Sequence, residues 1–243
     1  MVKQTLIDTD DGFYIPDANQ LVTENDIPVD NFASEKQQRL LVGSLYSSLQ
    51  NQTFLAAANV GVYYTDLKPA IVPDVFLSLN AQVPENWWEK HNRCYMIWRF
   101  GKPPEVAIEI VSNKVGDELG EKLKIYEHMR ASYYVVYDPT NQISEETLRI
   151  YELRGMRYYQ TSETWLEQVG LGLTLWTGEF EARQDSWLRW CHQDGTVLLT
   201  GDERAQTAEN RAKTAEQRAQ TAEQRAAQLA EKLREMGINP DTM

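Results

Sequence analysis

Two carboxylates and one amine stand out in this chain for where the pattern puts them. Glu109 is the only charge in the run 106–111 (VAIEIV), which otherwise reads as a buried strand. Asp74 interrupts a second apolar run, 70–79 (AIVPDVFLSL), and Lys122 lies on the helix-patterned stretch that follows Glu109. A carboxylate in a buried strand is costly unless it is paired, hydrogen-bonded or bound to metal. Two acids and a lysine converging at the end of a sheet have the parts for metal-assisted hydrolysis of a phosphodiester. Each residue also has a plainer reading. Pro73-Asp74 fits a turn at a strand start. Lys122, beside an apolar stripe, can lay its stem along the helix boundary and keep its ammonium in water.

The elements that must position these residues follow from periodicity. Alternation puts Ala107, Glu109 and Val111 on one strand face. A polar turn, 112–116, comes next, and Asp117 is placed to cap a helix. There Leu119, Leu123, Tyr126 and Met129 form an apolar stripe with Lys122 beside it. Residues 133–137 are a second strand, closed by Asp138-Pro139. Upstream, Ser34-Glu35-Lys36-Gln37 resembles a capping box, opening a helix to about residue 50 with Leu40, Leu41, Leu45 and Leu49 at helical spacing. Glu35 in its first turn is either a carboxylate favoured by the helix dipole or a third acid of the site. Residues 53–64 and 70–79 read as strands.

Residues 80–100 break this regularity as a long connection. Trp87, Trp88 and Trp98, with Lys90, Arg93, Arg99 and Lys102, either pack as the connection's own core or offer stacking and charge to a nucleic acid. Residues 147–153 and 156–161, joined through Arg154-Gly155, read as a hairpin. Residues 171–175 read as a short strand, and 179–191 as a helix carrying Trp187, Leu188 and Trp190. The fold class is α/β, a mixed β-sheet flanked by helices.

At 243 residues and 42% hydrophobic, the chain suits one domain of ordinary size plus an appendage. Residues 1–30, polar with Pro16 and Pro28, form an irregular lead-in; 31–200 form the domain; 201–243 form the appendage. No run is apolar enough to span a bilayer, and the N-terminus is too polar for a signal-peptide core, so a cytoplasmic location is expected. Two cysteines, Cys94 and Cys191, exclude a disulfide framework and fit a reducing compartment. His91 before Cys94, and Cys191 beside His192, lack the paired spacing of a zinc site. The net charge of -12 runs against the basic footprint that phosphate binding ordinarily leaves. From Gly201 on, seven Lys and Arg face eight Asp and Glu, so the excess lies in the body.

The appendage repeats every seven residues from Arg204. Ala205, Ala208, Ala212, Ala215, Ala219, Ala222, Ala226, Leu229, Leu233 and Met236 alternate steps of three and four, the a/d spacing of a coiled coil. Arg204, Arg211, Arg218 and Arg225 then fall at g, and Glu209, Glu216 and Glu223 at e, which suits parallel pairing of two copies. Residues 202–236 make a rod of roughly 50 Å at the helical rise. An alanine seam buries little area, so a solvated single helix is the other reading.

The ordered combination around the site resembles the PD-(D/E)xK nuclease superfamily and, more closely over residues 73–139, the Uma-two family of restriction-type endonucleases. The residues that carry this are Pro73-Asp74; Glu109-Ile110-Val111-Ser112; Asp117 through Lys122 to Tyr126; and Asp138-Pro139. The resemblance implies a restriction-endonuclease-like core and a Mg²⁺-dependent DNA endonuclease, with Mn²⁺ as a substitute. It implies Asp74 and Glu109 as metal ligands, Lys122 as the cation that stabilises the transition state, and Glu35 as an extra acid near the metal. The superfamily places its lysine two residues after the acid. Here that position is Val111, so the resemblance implies that Lys122 replaces it in space. The same site would serve cleavage of RNA. From another class, the chain reads as a scaffold that keeps the fold, lacks activity and joins partners through its repeat tail.

Overall fold

Residues 31–112 and 117–237 are described in the computed structural model of the chain. The 1–30 lead-in and residues 113–116 of the polar turn lie outside the described residues. The chain divides into two compact units, Met1–Leu198 and Leu199–Met243. In chain order the first contains α1 (Phe32–Ser48), β1 (Phe54–Ala58), β2 (Val62–Tyr63), β3 (Val75–Leu79), β4 (Tyr95–Met96), α2 (Ile97–Phe100), β5 (Val106–Ile110), α3 (Glu121–Met129), β6 (Tyr133–Tyr137), β7 (Leu148–Arg154), β8 (Arg157–Thr161), β9 (Trp165–Leu166), β10 (Leu171–Phe180) and β11 (Arg183–Cys191). The second contains α4 (Gly201–Glu235).

A six-stranded mixed sheet, ordered β1-β3-β5-β6-β7-β8, organises the first unit. β5 and β6 pair in parallel and are connected through α3, while the other neighbours are antiparallel. Parallel strands need a crossover and are buried on both faces, and every residue of β5 and β6 is buried. On one face Val75, Leu77, Ile108 and Val135 pack with Leu41 and Leu45 of α1 and with Leu173, Leu188 and Trp190 of a second sheet, β11-β10-β9. On the other, Phe76, Ala107, Val111 and Tyr134 pack with Tyr126 and Met129 of α3 and with Tyr95.

Several elements differ from the sequence expectation, each for a local reason. α1 begins at Phe32, because the Asn31 side chain accepts the backbone N–H of Ala33 and of Ser34, both at 2.9 Å. Ser34 is therefore inside the helix and buried, and forms no capping box. The strand expected over 53–64 breaks at Asn59, whose φ is 55°, leaving β1 and β2. Of the run 70–79 only Val75–Leu79 is strand. The helix expected over 179–191 is instead the end of β10, a tight turn and β11. Glu181 and Ala182 turn the chain with φ of 47° and 60°, the pair of positive values that a two-residue hairpin loop of the primed type requires. Glu181 then ties this turn to α1 through Lys36 and Arg39, each at 2.6 Å.

α4 starts at a capping box formed by Thr200 and Glu203. None of its described residues is buried, and Leu229 and Met236 of the heptad row are exposed.

α1 is docked on the second sheet by one amide. Gln37 Nε2 donates to the Leu188 carbonyl at 2.8 Å, and the Leu188 N–H donates to Gln37 Oε1 at 3.0 Å. β11 is an edge strand, and this side chain satisfies its buried edge in the way a neighbouring peptide would. Gln37→Ala strands both Leu188 groups, at about 1–3 kcal/mol each, and should lower Tm by about 5 °C or more. Glu35→Ala, which removes only an exposed ion pair with Arg39, should shift it by about 1 °C or less. Thermal melting followed by circular dichroism compares the two.

Candidate active site

The β3–β5 register pairs Val75 with Ile108, and one further step sets Asp74 across from Glu109. Alternation puts Asp74 on the face of Phe76 and Glu109 on the face of Ala107, both in the cluster covered by α3. Asp74 sits at the Pro-Asp turn just before β3, half-buried, so the turn reading is correct for its backbone. Its carboxylate is held on both oxygens. The Ile110 N–H donates to Oδ2 at 2.6 Å, and Gln38 Nε2 donates to Oδ1 at 3.1 Å. Gln38 is fixed in turn by Asn59, whose Nδ2 donates to Gln38 Oε1 at 2.9 Å.

Glu109 is only 2% exposed. The Tyr126 hydroxyl donates to its Oε1 at 2.6 Å, and Lys122 Nζ donates to its Oε2 at 2.8 Å. Burial pushes the Glu109 pKa up to about 7, assisted by the charge of Asp74 and opposed by Lys122 and the Tyr126 hydrogen bond. Lys122 reaches the acid from the first turn of α3, while Val111 lies buried among apolar side chains. Burial works to lower the Lys122 pKa, but attraction and hydrogen bonds from Glu109 and Glu118 outweigh it and raise the value. The ammonium therefore stays charged.

Glu118 was not anticipated. It is 5% exposed; its Oε1 accepts from Lys122 Nζ at 3.2 Å, and its Oε2 is buried without a hydrogen-bond partner among the described residues. Glu118 lies in the turn just before α3, and the four-residue spacing from Glu118 to Lys122 was the available signal. Glu35, expected as a third acid, points the other way: it is exposed and pairs with Arg39 at 2.5 Å. The α1 residue that reaches Asp74 is Gln38, which sequence reasoning also missed.

Among the described residues, no cluster of three His, Cys, Asp or Glu side chains is arranged to hold a metal ion. Asp74 and Glu109 offer hard carboxylate oxygens. A carboxylate oxygen carries two lone pairs and can serve a hydrogen-bond donor and a cation together. Mg²⁺ is commonly bound by one or two carboxylates, with water and substrate phosphate completing its shell. The donor set fits Mg²⁺ or Mn²⁺ and lacks the nitrogen and sulfur of a zinc site.

The raised Glu109 pKa makes a signed prediction for metal-free protein. The folded value of about 7 lies above the unfolded value of about 4.3. The folded state holds the proton more tightly, so this group's contribution is full below about pH 4.3 and is lost as pH rises through about 7. Glu109→Gln removes that dependence. In EDTA its Tm relative to the native chain should therefore rise between about pH 5 and pH 8. A flat difference would mean that the Lys122 pair holds the carboxylate ionised throughout.

Comparison with known proteins gives the chain a family. A crystal structure of a "putative nuclease belonging to DUF820" from Anabaena variabilis ATCC 29413 is 15% identical, with 57% of this chain and 72% of that chain covered at a TM-score of 0.40. No curated protein matches the chain. The family model described as "Uma2: Putative restriction endonuclease" matches residues 23–178. That span takes in most of the chain and every residue of the site, from Gln38 and Asp74 to Tyr126, and the chain belongs to the Uma2 family.

Proposed function

We propose that the chain is a divalent-metal-dependent endonuclease that hydrolyses phosphodiester bonds in DNA. One observation carries this reading: Lys122 Nζ lies 2.8 Å from Glu109 on the sheet face that also carries Asp74. Asp74 and Glu109 would hold Mg²⁺ or Mn²⁺, which when bound lowers the pKa of water and polarises a phosphate oxygen.

The chain's own residues do the rest. The Ile110 N–H and Gln38 fix the Asp74 carboxylate, and Tyr126 fixes Glu109 through Oε1. Held charged by two acids, Lys122 faces the place where negative charge grows on the phosphoryl oxygens. Glu118 gives that ammonium a second anchor, which would keep it in position if the Glu109 carboxylate held a metal ion. Glu35 takes no part, because its carboxylate is committed to Arg39. The exposed heptad row of α4 would pair two copies, so that two sites meet two strands.

Asp74→Ala, Glu109→Ala and Lys122→Ala should each reduce plasmid cleavage in Mg²⁺ or Mn²⁺ by at least about 100-fold. Undiminished cleavage by any of them removes that residue from the mechanism.

A second reading has its own observation. All four oxygens of Asp74 and Glu109 already accept internal hydrogen bonds, as in a nuclease-fold scaffold without activity. Calorimetric titration with Mn²⁺ separates the two. An endonuclease binds the ion and loses affinity on Asp74→Asn, whereas a folded chain that takes up no ion is the scaffold.

A further inference from the structure

The sheet face that carries the acids has a second occupant. α3 covers β5 and β6, while β1 and β3 lie under the connection 80–100, and a cavity of about 680 Å³ opens there. Its floor includes Phe76, Tyr95 and Phe100. Phe76 is two residues along β3 from Asp74 on the same face, a separation of roughly 7 Å. Val60 in its wall follows Asn59, whose N–H donates to the Asp74 carbonyl at 3.3 Å. The cavity thus begins beside the acid. We propose that it seats an unstacked nucleobase of the substrate strand, a reading that rests on the nuclease function proposed above.

Three features select this occupant. Two tryptophans stand at the cavity, Trp87 at 55% and Trp88 at 79% exposure, with ring centroids 6.2 Å apart and planes at 78°. Rings so exposed are not packing as core for the connection; they present broad faces on which any base can stack. Asn92 and Arg93 also line the cavity; the Asn92 amide holds the connection through Asn86 and Arg99, and Arg93, whose Nε donates to the Trp88 carbonyl at 2.9 Å, brings a positive charge beside that ring. Finally, residues 82–105 carry four cations, Lys90, Arg93, Arg99 and Lys102, against three acids, Glu85, Glu89 and Glu105, in a chain of net charge -12; Lys102 pairs with Glu105, and Arg93 is the cation that lines the cavity. An apolar protein partner would not call for that local reversal of charge, whereas a nucleic acid does.

A base within a duplex is covered on both faces, so the cavity accepts only one that has left the stack. The substrate preference that follows is for single-stranded, mismatched or frayed DNA. Stacking also supplies affinity that the acidic body does not obtain from phosphate contacts.

The test is binding in EDTA, where no cleavage occurs, read by tryptophan fluorescence of the full chain. The probes are a single-stranded oligodeoxynucleotide and an abasic sugar-phosphate oligomer of the same length. The base-bearing strand should quench the fluorescence and bind at least about tenfold more tightly than the abasic one. Trp87→Ala and Trp88→Ala should each lose about tenfold in affinity for the base-bearing strand and nothing for the abasic one. Equal binding of the two probes, or unchanged affinity in both variants, overturns the proposal. So does a Trp88→Ala chain whose only change is weaker self-association, since the rings then cover a second copy. Plasmid cleavage by Asp74→Ala judges the nuclease reading separately, because base binding in EDTA does not depend on it.

Discussion

Glu109 lies in a central strand of a sheet covered on both faces, with 2% of its surface exposed. Moving a carboxylate there costs several kcal/mol unless fixed donors meet it. Both side-chain donors come from α3, one turn apart: Lys122 on one oxygen and Tyr126 on the other. That requirement fixes the rotation of α3 about its axis. It also fixes which face of the sheet the helix covers, since Glu109 and the Ala107–Val111 row share that face. Tyr126 and Met129 secure the same docking by apolar burial. Packing and polar satisfaction therefore point to one placement of the helix, which is the consistency expected of a well-specified fold.

α1 shows the same economy in a different form. Its consecutive residues Gln37 and Gln38 point about 100° apart and reach different partners. Gln37 satisfies Leu188 on the hairpin sheet, and Gln38 holds Asp74. Glu181 at the hairpin turn grips Lys36 and Arg39 from outside. The half-buried acid is thus linked through one helix to the β10–β11 hairpin, a part of the chain that lies more than a hundred residues downstream.

What the sequence disclosed follows from the range of the interactions involved. β5, β6, the β7–β8 hairpin and the body of α3 were legible because their signals are local: a continuous apolar run, an Arg-Gly turn, a helical stripe; the start of α3 was not, since Leu119 of that stripe lies exposed in the turn before Glu121. The β10–β11 hairpin was not, because its turn uses Glu181 and Ala182 at positive φ where Asn-Gly would have announced it, and because Trp187, Leu188, Trp190 and Cys191 mimic helical spacing. Lys122 illustrates the limit for the site. Its local pattern allowed a solvated boundary lysine, and only the resemblance pointed it at Glu109. The choice between Glu35 and Gln38 was in principle readable. Gln38 lies three and seven residues before Leu41 and Leu45, in phase with the buried stripe, and Glu35 does not. The acidic residue type drew attention away from the phase.

Charge gives the last step. Around Lys122 the structure gathers Glu109 and Glu118, with Asp74 close enough to raise the Glu109 pKa. One ammonium thus faces two carboxylates, Glu109 and Glu118, and Glu118 Oε2 is buried without a partner among the described residues. Such an excess weakens a fold, and apolar substitutes of similar size would serve stability better. Sites that sacrifice stability in this way are commonly sites of function. On the proposed reading a divalent ion would supply positive charge here; burial of the Glu109 carboxylate is the main cause of its rise to about 7. Near neutral pH a proton and the ion then compete for one oxygen pair, so ion binding should release protons as it proceeds.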